Sequence, residues 1–279
     1  MPTAPPPAAT GLRGRGELAR IVVDWEPAPW QTVVDHYAVH GAPGPDVAVS
    51  PETLLLKTVY PHFQHNGLGG AAQQWTYRVV TVDAAGARSR PSRAVTVTSR
   101  ESVSRSGIPL AVVGDFDGKG LELALSPGGY ADYPTAFPNG VDFRAGVDDP
   151  RTGWCYLQPG PADGWAGRRD HRFRLRFELS ELPVNGSDLA VWLIDSHASK
   201  AGSVVLSING TPVDRLRFEN GATKGSTQGD STLPGSPLKP SYLEMRLPQV
   251  FRVGENTIDL HKDDGSWIAY DAIGVFARR

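Results

Sequence analysis

Short runs of alternating apolar and polar residues recur along the chain, with turn signals between them. In "HRFRLRFEL", the alternation places Phe173, Leu175 and Phe177 on one face of an extended strand, because successive side chains point to opposite faces. Similar runs occur in "ARIVVDWEP", "VVDHYAVHGAPG", "QQWTYRVVTVDAAG", "LAVWLIDS", "GSVVLSINGTPV" and "WIAYDAIGVF". Long segments of helical periodicity are missing from the sequence. The pattern predicts an all-β protein of many short strands, with Phe173 and Trp192 in a core.

The strand patterns fall into two groups on either side of the polar stretch "SRESVSRSGIP", residues 99–109. A length of 279 residues suits about two domains that each bury their own core. We therefore predict four segments along the chain. They are a Pro-rich linker (1–15), a first β-sandwich (16–100), a connection (101–109) and a second β domain (110–279).

Composition excludes several classes of partner. The chain has 28 Lys and Arg against 30 Asp and Glu, a net charge of -2, so counterion release does not drive it toward nucleic acid or anionic membranes. Its longest apolar runs, such as Ile108–Val113, are too short to span a bilayer. A single cysteine, Cys155, excludes an intrachain disulfide and leaves the compartment open.

The N-terminal stretch "MPTAPPPAAT" has neither a basic segment nor an apolar segment of the kind found in signal peptides. It has the composition of a stiff Pro/Ala linker. We expect the chain to be a fragment of a longer secreted protein, with Met1 supplied for expression.

The first predicted domain resembles a fibronectin type III domain over residues 16–100. Trp25 falls on the second predicted strand, Tyr37 on the third, and the "YRVVTVDAAG" segment that begins at Tyr77 on the sixth. The resemblance implies an immunoglobulin-like β-sandwich. It also implies a spacer or interaction module without chemistry of its own.

The second predicted domain resembles the C-terminal domain of family 4 polysaccharide lyases, the rhamnogalacturonan lyases. The resemblance lies in "VVGDFDGKGLEL", "INGTPV", "GENTIDL" and "WIAYDAI", and in their order after a fibronectin-type domain. It implies a galactose-binding-like jelly roll. The family's catalytic domain lies upstream of both modules, and this chain has no room for it, so we expect such a domain in the full-length protein. The segment Tyr130–Gly153 is longer than the family pattern, which leaves the substrate open.

Sugar sites combine flat apolar faces with planar polar groups, and two loops of the second domain offer both. In the first loop, Trp165 is flanked by small residues and is expected to stand out, while Arg168 and Arg169 can grip a uronate carboxylate. An alternative reading places Trp154, Tyr156 and Trp267 in the core, since tryptophan is highly buried on average. The predicted carbohydrate-binding residues are Trp165, Arg168, Arg169, Asp170, Lys262, Asp263, Asp264 and Trp267.

Two acidic segments are candidates for a metal. Asp115 and Asp117 begin a loop similar to the calcium loop of propeller repeats, but Lys119 stands where a third carboxyl oxygen is needed, so a plain turn is expected. Asp271 interrupts the apolar last strand. The resemblance implies at most one structural Ca²⁺ ion, with Asp271 as its side-chain ligand. The alternative for Asp271 is a buried carboxylate bonded to backbone amides.

Catalytic motifs are not evident: the seven histidines show no metal-binding spacing, and no nucleophile elbow or phosphate loop occurs. The first hypothesis is therefore a non-catalytic pair of carbohydrate-binding accessory modules of a secreted polysaccharide-degrading enzyme, which holds an acidic polysaccharide near the catalytic domain. The second is a lyase or glycosidase in its own right, with catalytic groups in the Gly- and Ser-rich loop 219–241 and in the segment 165–170. Its candidate groups are Lys224, Lys239 and His171. The third is a pair of support domains that bind no glycan.

Overall fold

The computed structural model describes residues 5–29, 32–222 and 238–279. The chain divides into two compact units, and the division falls between Ser102 and Val103. Most of the secondary structure is β-strand, as the alternating pattern predicted. The all-β fold class is confirmed. Lys224 and most of the loop predicted at 219–241 lie outside the described residues.

The first unit is a β-sandwich of two sheets. The strands are β1 (Thr10–Glu17), β2 (Arg20–Glu26), β3 (Val34–Pro43), β4 (Leu54–Thr58), β5 (His62–His65), β6 (Gln74–Asp83) and β7 (Val95–Thr98). One sheet has the strand order β1-β2-β5 and the other has the order β4-β3-β6-β7. Ile21 and Val23 of one sheet and Val39 and Val79 of the other have no exposed surface and belong to one core cluster.

Strand β1 begins at Thr10, so strand structure starts within the stretch that the sequence placed in a linker ending at residue 15. Its sequence, "TGLRGRGE", has no apolar alternation, and most of its side chains are exposed. Trp25, Tyr37 and Tyr77 lie on the second, third and sixth strands, as predicted.

The second unit is a sandwich of two five-stranded sheets. Its strands are β8 (Ile108–Gly114), β9 (Val141–Arg144), β10 (Leu157–Gln158), β11 (His171–Leu179), β12 (Ser187–Ser196), β13 (Ser203–Ile208), β14 (Thr211–Arg217), β15 (Ser241–Arg246), β16 (Gly254–Lys262) and β17 (Ile268–Ala277). One sheet has the order β10-β17-β12-β15 with β8 also paired to β17, and the other has the order β14-β13-β16-β11-β9. Its short helices are α1 (Val103–Ser106), α2 (Tyr133–Ala136) and α3 (Pro150–Gly153).

The core of the second unit lies between its sheets and follows the predicted alternation. Phe173 of β11 and Trp192 of β12 are both buried, as expected. Trp154 and Tyr156 have no exposed surface either, so the alternative that placed both residues in the core is confirmed. Within the described residues, no helix has the length and apolar character needed to cross a bilayer.

Candidate functional site

One face of the sheet β14-β13-β16-β11-β9 carries a row of arginines. Because Phe173, Leu175 and Phe177 of β11 point into the core, the arginines that alternate with them point to the opposite face. The register then sets Arg172 opposite His261 and Arg174 opposite Asp259 on β16, while parallel pairing sets Arg174 beside Asp142 on β9. We call this surface the arginine face: Asp142, Arg172, Arg174, Arg176, Asp259 and His261.

Ion pairs link these side chains across the strands. Arg174 Nε donates to Asp259 Oδ2 at 3.0 Å, and an Arg172 nitrogen lies 3.5 Å from the other oxygen of the same carboxylate. Arg176 binds Asp142 through two bonds of 2.5 and 2.8 Å. The three arginine side chains keep between 30% and 48% of their surface exposed, so they remain accessible to a ligand.

The arginine face continues at the end of the strands where β11 begins and β16 ends. Asp170 accepts a hydrogen bond from His261 Nε2, and His261 Nδ1 lies 3.1 Å from an Arg172 nitrogen. Asp263 is held by Arg215 of β14 through two bonds of 2.7 and 2.8 Å. Since His171 pairs with Lys262 in the β11–β16 register, Asp170 and Asp263 lie at the same end of adjacent strands.

These carboxylates stay ionised. The bond from His261 lowers the pKa of Asp170, and the bonds from Arg215 lower the pKa of Asp263, although partial burial acts in the opposite direction. The Arg176 guanidinium lowers the pKa of Asp142 in the same way. The face is therefore a set of fixed donors and acceptors whose charges nearly balance.

The sequence predicted that Trp165 stands out from its loop, but the structure places its ring against other aromatic side chains. It lies on a 3₁₀ turn, Gly164–Ala166, is half-buried and packs edge-on against Tyr130 and Tyr133, with ring centroids 5.2 and 6.3 Å apart. Arg168 is exposed in a left-handed conformation with φ of 52°. Arg169 is exposed as well, and one of its nitrogens donates to the carbonyl oxygen of Pro138.

The prediction that Lys262 binds carbohydrate is wrong, because its side chain is buried. Its side chain has no exposed surface, and its ammonium donates to the carbonyl oxygens of Ala201 and Asp264, both at 2.7 Å. Burial lowers the pKa of Lys262 to about 8. The ammonium holds two loop segments together and is not available to a ligand. The sequence pattern predicted that Lys262 lies on a loop, whereas it is the last residue of β16 and its side chain is buried.

Trp267 is also a correction, because only 3% of its surface is exposed and its ring packs 6.0 Å from that of His197. The core alternative given for it in the sequence analysis is the one that holds. Asp264 is exposed, and its side chain accepts a bond from Ser203 Oγ at 3.2 Å. Of the predicted residues, Asp170 and Asp263 adjoin the arginine face most directly.

Asp271 has no exposed surface. Its Oδ1 accepts a bond from the backbone N–H of Lys119 at 2.8 Å, while its Oδ2 is buried and has no hydrogen-bond partner in the described ranges 5–29, 32–222 and 238–279. Burial raises the pKa of Asp271 to about 7. Among the described residues, no three acidic, histidine or cysteine side chains converge to hold a metal. The donors present therefore form less than a complete Ca²⁺ shell, and the Ca²⁺ assignment stays a prediction.

Sequence reasoning missed most of the arginine face. Strict alternation in "HRFRLRFEL" identified the outward positions of β11, but not their partners. Asp142 and Asp259 are distant in sequence and meet the arginines only through the sheet register. Arg215 could be linked to Asp263 only through the packing of β14 against β13 and of β13 against β16.

No protein-family model matches the sequence, and no curated protein sequence matches it either. Solved structures do match parts of the fold at low TM-scores. A fibronectin type III domain of human fibronectin type III domain containing protein 3 matches at TM-score 0.30 and 14% identity, over 38% of this chain and 96% of that chain. A family 35 carbohydrate binding module from an environmental isolate matches at TM-score 0.30 and 13% identity, over 49% of this chain and 82% of that one.

The α-L-rhamnosidase from Dictyoglumus thermophilum matches at TM-score 0.28 and 12% identity. That match covers 98% of this chain, which spans only 29% of the rhamnosidase. The structural neighbours thus include fibronectin type III domains and a carbohydrate-binding module.

Proposed function

We propose that the second unit is a non-catalytic carbohydrate-binding module and that the arginine face is its binding surface. The observation that carries this proposal is the run of half-exposed, paired arginines and aspartates on one sheet face. Sugar hydroxyls both donate and accept hydrogen bonds, so they match a surface on which guanidinium donors alternate with carboxylate acceptors. The ion pairs hold these groups in place before binding, which reduces the entropy lost on association.

The ligand that this surface favours is an acidic polysaccharide. Arg168 and Arg169 lie three and two residues before β11 and are exposed. Neither forms an ion pair within the described residues, so they supply positive charge next to the nearly neutral array. A uronate carboxylate binds those cations while neighbouring hydroxyls bind the array. As part of a longer secreted enzyme, such as one resembling a rhamnogalacturonan lyase, the module holds its polymer close to a catalytic domain and raises the effective substrate concentration.

Affinity electrophoresis tests the proposal against its two alternatives. The whole chain is run through native gels containing polygalacturonate, rhamnogalacturonan or neutral galactan, and the same samples are assayed for unsaturated uronate products by ultraviolet absorbance. The proposal predicts retardation by the acidic polymers with no product formed. Product formation would support an enzyme in its own right, and no retardation in any gel would support a pair of support domains.

A further inference from the structure

A cavity of about 590 Å³ opens on the sheet β4-β3-β6-β7 of the first unit. This is a size typical of small-ligand sites. It lies on the side of the sheet that faces away from the core, because Tyr37 and Val39 of β3 point inward and Ala38 points the other way. No part of the proposed glycan surface contributes to it.

The floor of the cavity is apolar and closely packed. Ala38 of β3 and Val80 of β6 are paired in register, and both are buried together with Val82. The walls come from the turn at Val49–Pro51 and from the segment that follows β6. The floor therefore offers a dry surface to a compact apolar group.

The polar groups around the cavity are biased toward positive charge. The residues that line it include His36, His40, Lys57 and Arg88, and among the described lining residues none carries a carboxylate. His36 is already paired, with its Nδ1 2.6 Å from Asp35 Oδ2. Lys57 and Arg88 are exposed, and within the described residues neither has a carboxylate within ion-pair distance.

His40 is an unusual residue for such a floor. It is 2% exposed, its Nδ1 lies 3.1 Å from Thr53 Oγ1, and its Nε2 is buried without a hydrogen-bond partner among the described residues. Burial, and then the Arg88 charge, lowers the pKa of His40, which keeps the ring neutral.

The geometry points to a binding site for a small organic carboxylate with a compact apolar body. The apolar part lies on Ala38, Val80 and Val82, and the carboxylate faces the rim, where Lys57 on one side and Arg88 on the other supply positive charge. A ligand with an apolar body and a carboxylate contacts both the apolar floor and the cations at the rim. A purely apolar ligand would not pair with the cations, and an inorganic anion would not cover the floor.

The test uses cyclohexanecarboxylate as the probe and the full chain as the protein. Its neutral analogue cyclohexylmethanol is the matched ligand control, and galacturonate distinguishes an apolar acid from a sugar acid. Methyl resonances of Ala38, Val80 and Val82 are followed in titrations. For a ligand of this size we expect dissociation constants of ~1–10 mM.

The expected result is saturable shifts of those methyl groups with cyclohexanecarboxylate and none with the alcohol. Lys57→Met and Arg88→Met should each weaken binding by about two- to fivefold, as expected for the loss of one solvent-exposed charge. Arg90→Met is the matched control, since Arg90 is exposed on the same segment but does not line the cavity.

Three results would overturn the assignment. They are unchanged methyl resonances throughout the titration, equal binding of the alcohol, and an equal loss of binding in Arg90→Met. Binding of galacturonate in place of cyclohexanecarboxylate would retain the carboxylate site at the rim but reject the apolar part of the assignment.

Discussion

Asp271 and Lys262 are ionisable side chains without any exposed surface, and both are held by backbone groups of the second unit. Lys262 donates to two carbonyl oxygens, whereas one oxygen of Asp271 has no partner among the residues that the structure describes. A buried group with unmet bonding capacity shifts its titration toward the neutral form. Ionisation of Asp271 therefore lowers the stability of the folded state.

In the absence of divalent cations, the stability that Asp271→Asn gains over the parent should grow as pH rises from about 4 to 7. The pKa of Asp271 is about 7 in the folded state against an ordinary value of 3.8, so between those values the Asp271 carboxyl group binds more protons in the folded state than in the unfolded state. Asp271→Asn removes this penalty and should stabilise the second unit by about 2–4 kcal/mol at pH 7. Urea unfolding at pH 4.5 and pH 7 in chelator measures the difference.

The control for that experiment is Asp132→Asn, an exposed aspartate of the same unit. It should leave the pH dependence as in the parent. An Asp271→Asn variant that keeps the parent's slope between the two pH values contradicts the account of Asp271.

The Ca²⁺ prediction belongs to the same residue. A bound cation favours the ionised carboxylate, so added CaCl₂ should raise the melting temperature of the parent and not that of Asp271→Asn. Differential scanning calorimetry with and without chelator gives the comparison. Equal melting temperatures of the parent in CaCl₂ and in chelator would reject the metal.

At the scale of secondary-structure elements, strand β1 shows a close approach that only glycine permits. A Cβ atom on Gly16 would lie 1.8 Å from the carbonyl oxygen of Thr98, which is backbone and has no room to move aside. Gly16→Ala should therefore separate β1 from β7 and destabilise the first unit by about 1–3 kcal/mol. Thermal unfolding of the full chain measures the loss.

Gly128→Ala is the control for this substitution, because a Cβ there meets nothing within 4 Å and its φ is not left-handed. It should leave the melting temperature nearly unchanged. A Gly16→Ala variant as stable as Gly128→Ala would show that β1 and β7 have another way to pack.

Individual strands show which features of the fold could be predicted from the sequence. The alternation in β11 predicted which of its residues enter the core, because burial on one face imposes a period of two. Strand β1 was missed because both of its faces are largely polar. The parallel pairing of β9 with β11, which brings Asp142 to Arg176, depends on contacts between distant segments that no local pattern encodes.

The candidate site was predictable only in part for the same reason. Asp170 and Asp263 were selected as loop residues and do lie at adjacent strand ends. Lys262 and Trp267 were selected on the same grounds and are buried. Charge and aromatic character identify candidates, but burial depends on whether the strand has ended, and strand ends are the least predictable feature of a sequence.

At the scale of the whole molecule, the chain should behave as two separable units. The division falls between Ser102 and Val103, within the polar stretch at residues 99–109. Limited proteolysis should cut in that stretch or within residues 219–241, since both stretches are polar and rich in small residues, a composition typical of the segments that proteases cleave. Mass spectrometry of the fragments locates the cuts. First cleavage inside β11 or β17 would contradict this division of the chain.

The most direct test of the glycan-binding account compares arginines on and off the arginine face. Arg172 and Arg174 are replaced by methionine together. Arg278→Met serves as the control because Arg278 is also partly exposed and also pairs with a largely buried aspartate, Asp188, away from the arginine face. Affinity for polygalacturonate and rhamnogalacturonan is measured by affinity electrophoresis, and folding is checked by thermal unfolding. The account predicts that the double variant stays folded and loses affinity by about tenfold or more, while Arg278→Met binds as the parent does. Equal retardation of the parent and a folded double variant would place glycan binding away from the arginine face.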